Sequence, residues 1–266
     1  MDILTAFALT LVAGLSTGIG GFAAFFTRST NNKFLSVSLG FSAGVMIYVS
    51  MTEILGEAGN RLGGALGSAD GAWITAAAFF GGMLFIAVID RLIPQRENPH
   101  ELVSLSDKDE GEEIVKTRRL MRTGVLSAVA IAIHNFPEGL ATFVSALQEP
   151  EIAVPVVAAI AIHNIPEGIA VAVPIYRGTG SRKKAFFYSL LSGLAEPLGA
   201  LIGWLILMSV MNDAVFGAIY AAVAGIMVFV ALDELLPAAR EYGKHHLSIY
   251  GLIAGMAVMA VSLILL

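Results

Sequence analysis

Long apolar runs separated by short polar connections set the pattern of this chain. Eight stretches each hold roughly the 20 apolar residues that a helix needs to cross a bilayer core. They fall at about 3–26, 34–55, 73–93, 123–146, 152–176, 185–209, 214–236 and 247–266. None alternates polar and apolar positions as a strand would. In lipid the backbone must satisfy its own hydrogen bonds, so each stretch is predicted to be a helix. The one long polar segment, 94–122, "PQRENPHELVSLSDKDEGEEIVKTRRLMR", is dense in both charges and poor in core-forming residues. It reads as a flexible loop.

Composition sharpens the class. Of the 266 residues 56% are hydrophobic and 14% charged, where a soluble domain carries about 25% charged residues. No cysteine is present, which excludes disulfide frameworks, cysteine zinc sites and thiol chemistry. The net charge of −5 matters less than where the charges fall. Fifteen of the sixteen Lys and Arg residues lie in the connections after helices 1, 3, 5 and 7, and Arg61 alone lies on the opposite side. The positive-inside rule then puts both termini outside, extracellular or periplasmic, and the loop 94–122 in the cytoplasm. The opening "MDILTAFALTLVAGLSTG" lacks a basic leader region and reads as a first spanning helix, not a cleaved signal peptide.

Two of the apolar runs carry nearly the same polar insertion: "AIAIHNFPEGLA" at 130–141 and "AIAIHNIPEGIA" at 159–170. Other repeats surround the pair. Residues 41–58, "FSAGVMIYVSMTEILGEA", match 222–239, "AVAGIMVFVALDELLPAA", and align Glu53 with Glu234. Residues 14–21, "GLSTGIGG", match 193–200, "GLAEPLGA", and set Thr17 opposite Glu196. Helices 1–3 thus correspond to helices 6–8 in the opposite orientation, with helices 4 and 5 as antiparallel copies between them. The predicted fold is a single all-α integral membrane domain of eight transmembrane helices built on an inverted repeat. Such repeats mark transporters, whose substrate site lies near the membrane midplane at the repeat interface.

The duplicated insertion has the chemistry of a cation site. His134 and Glu138 are four residues apart and share a helix face, as do His163 and Glu167. Two imidazoles and two carboxylates at similar depth make a first shell for a borderline divalent cation. Pro137 and Pro166 lack the N–H that would bond the carbonyl four residues back, and are expected to open the helix beside the ligands. Asn135 and Asn164 point about 100° away from the histidines, where their oxygens suit a second position sharing Glu138 and Glu167. Glu196 is the natural third carboxylate. Three bare glutamates would cost on the order of 8–10 kcal/mol in the membrane, so protons, water or metal must compensate them. Glu53, Asp233 and Glu234 read either as solvated helix ends or as gating residues where the ion enters or leaves. Glu57 and Asp90 read as interface residues.

With outside termini and "HNFPEG" and "HNIPEG" on the fourth and fifth of eight helices, the chain resembles the ZIP (Zrt/Irt-like) divalent metal transporter family. "HNFPEGLATFVSAL", "GLAEPLGA" and "LDELLPAA" most resemble its bacterial ZupT-type branch. The resemblance implies a metal site from His134, Glu138, His163 and Glu167. A neighbouring site would use Asn135, Asn164 and Glu196 and share Glu138 and Glu167. It implies uptake into the cytoplasm of zinc and of Fe(II), Mn, Co or Cd. It also implies an elevator-type motion of helices 1, 4, 5 and 6 against 2, 3, 7 and 8, and a homodimer in the cell membrane without nucleic-acid partners. The histidine-rich loop of many family members is missing, since 94–122 holds only His100. Two other functions compete. One is a proton-linked carrier of a non-metal substrate that uses the His/Glu pairs as a relay. The other is an intramembrane metal hydrolase, against which the H-E-x-x-H signature and any Ser or Cys nucleophile motif are absent.

Overall fold

The computed structural model describes residues 2–23, 32–92, 112–148, 150–207, 210, 212–242 and 245–265. Among the described residues every regular element is helical. The chain is an all-α membrane protein. In order the helices are α1 (Ile3–Ala23), α2 (Asn32–Val49), α3 (Leu55–Leu66), α4 (Ser68–Leu92), α5 (Glu112–Gln148) and α6 (Pro150–Thr179). They continue with α7 (Arg182–Gly193), α8 (Ala195–Leu207), α9 (Asp213–Val230), α10 (Leu236–Tyr242) and α11 (His245–Leu265). Two five-residue π-helical turns, Ser50–Ile54 and Ala231–Leu235, join α2 to α3 and α9 to α10 without a break. They occupy corresponding positions in the 41–58 and 222–239 match.

Seven helical spans among the described residues are long and apolar enough to cross a membrane: Ile3–Phe22, Ser36–Leu66, Ser68–Arg91, Val156–Thr179, Arg182–Ile206, Asp213–Arg240 and His246–Ile264. The fourth stretch expected from sequence, 123–146, lies inside α5, which is not among them. That helix is already formed at Glu112, within the segment expected to be loop. Glu112 and Lys116 have the i, i+4 order that supports a helix. The rest of that segment lies outside the described residues.

Local sequence explains the remaining departures. The sixth expected helix is divided at Leu194, a turn residue between α7 and α8. Pro197 follows three residues later and leaves Gly193 without the N–H its carbonyl would otherwise bond. The prolines of the duplicated motif act more gently than expected. Both α5 and α6 run straight through Pro137 and Pro166 as unbroken helix, so each proline removes one hydrogen bond and leaves the helix closed.

The helices sort into two packed bodies. One holds α1, α5, α6, α7 and α8; the other holds α2, α3, α4, α9, α10 and α11. Few helix pairs join them, chiefly α2 with α6 and α5 with α9. Within each body backbones meet at glycine. A Cβ at Gly139 would overlap the Glu196 carbonyl, and one at Gly168 would overlap that of Thr17. In the second body Gly44 lies against Leu252 and Gly225 against Phe79 in the same way. No glycine of the described residues makes such a backbone approach from one body to the other. Burial differs sharply between helices. Of the most apolar window, 71% is buried in the α6 span but only 17% in α4 and 22% in α11. Trp73, Phe80, Leu84 and Phe85 on α4, and Ile253 and Ile264 on α11, are exposed, as suits side chains against lipid.

Candidate metal centre

Polar residues are concentrated where α5 and α6 meet α1, α7 and α8. Asn135, Glu138, His163, Asn164, Glu167 and Glu196 are all almost fully buried. Helix spacing accounts for this. Each Asn-x-x-Glu motif spans about one turn, so amide and carboxylate both turn towards the interior, while the flanking Ala, Ile and Val residues pack the remaining surface. Gly139 and Gly168 bring the α5 backbone onto Glu196 and the α6 backbone onto Thr17. Glu196 stands in the first turn of α8, where the helix N-terminus favours a carboxylate.

Four contacts join the motif helices to each other and to their neighbours. His163 Nε2 lies 3.0 Å from Glu138 Oε1, linking α6 to α5, although the pair is not aligned as a hydrogen bond. Asn164 Nδ2 donates to Glu196 Oε1 and, at 3.0 Å, to the Ala13 carbonyl of α1. Asn135 Nδ2 donates to the Ser192 carbonyl at 3.3 Å. Both asparagines thus spend their N–H groups on neighbouring helices and turn their carbonyl oxygens elsewhere. Asn135 Oδ1, Asn164 Oδ1, both carboxylate oxygens of Glu138 and Glu196 Oε2 are buried and accept no hydrogen bond.

Those oxygens decide the chemistry. A buried acceptor left without a donor costs about 1–3 kcal/mol, and a charged one more. Two carboxylates, Glu138 and Glu196, and two amide oxygens in this condition form an acceptor-rich surface suited to a cation. In this conformation, and among the described residues, no three His, Asp or Glu side chains close around one point. His134 is on α5, but its side chain lies outside the described residues, so the first half of the doubled motif is seen only through Asn135 and Glu138.

The ZIP zinc transporter family model matches residues 74–263, which includes both HN-x-PEG motifs and Glu196. The chain belongs to that family. Relatives run its full length. The zinc transporter ZupT of Streptococcus mutans is 65% identical over 263 residues, covering 99% of this chain and 98% of the relative. The zinc transporter ZupT of Clostridium perfringens is 58% identical, with 99% and 96% covered. That of Lysinibacillus sphaericus is 59% identical, with 100% and 98% covered. ZIP proteins are transporters and not enzymes, which removes the hydrolase reading. With its apolar spans, this ZIP protein is a multi-pass plasma-membrane protein.

Other residues around the ZIP motifs were not singled out from sequence. Ser42 of α2 is fully buried; its hydroxyl lies 3.4 Å from Glu167 Oε1 and 3.3 Å from the His163 carbonyl. It reaches the motif from the other body. Tyr220 of α9 makes the second such crossing, its Oη donating to the Ala141 carbonyl at 3.4 Å. A lone serine in "GFSAG" carries no spacing signal, so only the packing reveals it. Glu53 is not at a helix end: the helix continues through the π turn to Leu66. It is half-buried and lines a cavity shared with Glu138. Asp233 and Glu234 sit in the second π turn, half-buried, with helix continuing to Tyr242.

Proposed function

We infer that this chain carries zinc, and with it Fe(II), Mn, Co or Cd, across the membrane into the cytoplasm through Glu138, Glu167, Glu196, His163, Asn135 and Asn164, with His134 completing the set. The observation that carries this reading is the group of three buried carboxylates, with the oxygens of Glu138 and Glu196 and of both asparagine amides left largely without hydrogen-bond donors. A cation relieves that cost; water or protons relieve it only in part. His and carboxylate donors suit borderline divalent metals, and they do not rank them. Two adjoining positions sharing Glu138 and Glu167 give each asparagine oxygen a role. The curated names of the relatives agree on zinc.

Eight spans, with α5 as the fourth and both termini outside, remain the arrangement we favour, since fifteen of sixteen basic residues then fall on one side. The reciprocal contacts Gly139 to Glu196 and Gly168 to Thr17, and the two π turns at matching positions, support the inverted repeat. An elevator-type motion fits two bodies that are each locked by glycine contacts and, among the described residues, lack such contacts between them. The apolar faces of α4 and α11 leave room for lipid or for a second copy in a homodimer. Asp233 and Glu234 are the gating candidates at the opposite end from Glu53.

The 3.0 Å approach of His163 to Glu138 also suits proton exchange, so a proton-linked carrier of a non-metal substrate is the second reading. Equilibrium binding separates the two. Purified, metal-stripped protein is expected to bind zinc with heat release, and Glu138→Ala/Glu167→Ala to bind none. Wild-type protein that binds no zinc would hand the chain to the relay.

A further inference from the structure

The cavity lined by Glu138 is bounded across the gap by Glu53 and Glu57 and by Tyr220 of α9. It is narrow, with a cavity volume of about 30 Å³ open to a water-sized sphere. The three carboxylates mark a path. Glu138 is deepest, buried and with oxygens that accept no hydrogen bond. Glu53 is half-buried in the π turn, and Glu57 lies four residues further towards the helix end.

At Glu57 the path meets a cation that belongs to the protein. Arg61 Nε donates to Glu57 Oε1 at 2.6 Å, and its Nη1 donates to Asp213 Oδ1 at 2.9 Å in the first turn of α9. The guanidinium lies 4.9 Å over the Phe216 ring. The side chains of Arg61 and Glu57 are only 21% and 26% exposed, so water screens the pair less than it would at an open surface. Arg61 is also the one basic residue outside the connections after helices 1, 3, 5 and 7.

We propose that Arg61 is a tethered competitor for the arriving divalent cation at Glu57, and so sets how tightly the mouth of the cavity captures it. This rests on the metal-transport reading above. A guanidinium keeps its proton under all ordinary conditions, so it repels a second cation and occupies the oxygen the metal needs. Asp213 draws Arg61 the other way and leaves Glu57 more available. Competition therefore gives the two neighbours opposite signs. Arg61→Gln frees Glu57 and tightens capture; Asp213→Asn leaves Arg61 on Glu57 and weakens it. A simple brace between α3 and α9 would move both variants in one direction, through kcat or stability instead of KM.

Initial rates of zinc entry into liposomes decide between these. Arg61→Gln is expected to lower KM roughly two- to fivefold with kcat unchanged, Arg61→Lys to restore the wild-type KM, and Asp213→Asn to raise it. The difference between wild type and Arg61→Gln should shrink in high salt. An unmoved KM in folded Arg61→Gln, or a shift of the same sign in Arg61→Gln and Asp213→Asn, overturns the proposal. Should Arg61→Gln fail to fold, Asp213→Asn decides alone, since a KM that stays or falls is incompatible with competition. Absence of zinc entry in the wild type removes the transport reading itself, whereas zinc entry with an unmoved KM removes this inference alone.

Discussion

Glu167 is buried on α6, yet its carboxylate is approached by a hydroxyl from the other body, that of Ser42. One net hydrogen bond is worth about 1 kcal/mol, or roughly fivefold in affinity. Ser42→Ala is therefore expected to weaken zinc binding roughly fivefold while leaving the protein folded, as read by titration calorimetry. His163→Ala removes a nitrogen donor and keeps every carboxylate. Its expected effect is weaker zinc binding with a shifted preference between zinc and cadmium, measured by competition, and not abolition. The residues proposed as ligands stood out in the sequence because His, Asn, Pro and Glu contrast with Ala and Ile and are repeated at one spacing. Ser42 and Tyr220 were not, because a serine or tyrosine within an apolar helix is ordinary and its importance comes only from the helix opposite.

At the scale of elements, the close contacts run through glycine. A methyl group at Gly139 meets the Glu196 carbonyl of α8, whereas one at Gly56 meets nothing within 4 Å. Overpacking of this kind costs about 1–3 kcal/mol. Gly139→Ala should lower the thermal midpoint of the purified protein accordingly, and Gly56→Ala should leave it near wild type. Equal effects at both positions would contradict the packing described here. Spans long enough to cross a bilayer were readable from hydropathy alone, but three features were not. The early start of α5 falls within a segment whose composition says loop. The division of the sixth helix at Leu194 is set by Pro197, while Pro137 and Pro166 leave their helices whole, so proline by itself does not announce a break. The π turns that hold Glu53 and Glu234 leave no mark in composition at all, and they moved Glu53 from an expected helix end to the wall of a cavity.

At the scale of the whole molecule, glycine contacts bind each body internally, and the interface between them rests on larger side chains and a few hydrogen bonds. If transport requires the bodies to shift, a disulfide joining α2 to α6 beside Ser42 should stop zinc entry, and one joining α2 to α11 should leave it intact. The absence of native cysteine makes that comparison clean, and restored entry on reduction would be its control. Beneath these tests lies the claim that the doubled HN-x-PEG motif is the metal path. Its most direct measurement is zinc and cadmium entry into liposomes containing purified wild-type protein or Glu138→Ala/Glu167→Ala, with a pH-sensitive dye trapped inside. The account predicts metal entry in the wild type and none in the double variant. Undiminished metal entry in the double variant, or a proton signal without any metal entry in the wild type, would contradict it.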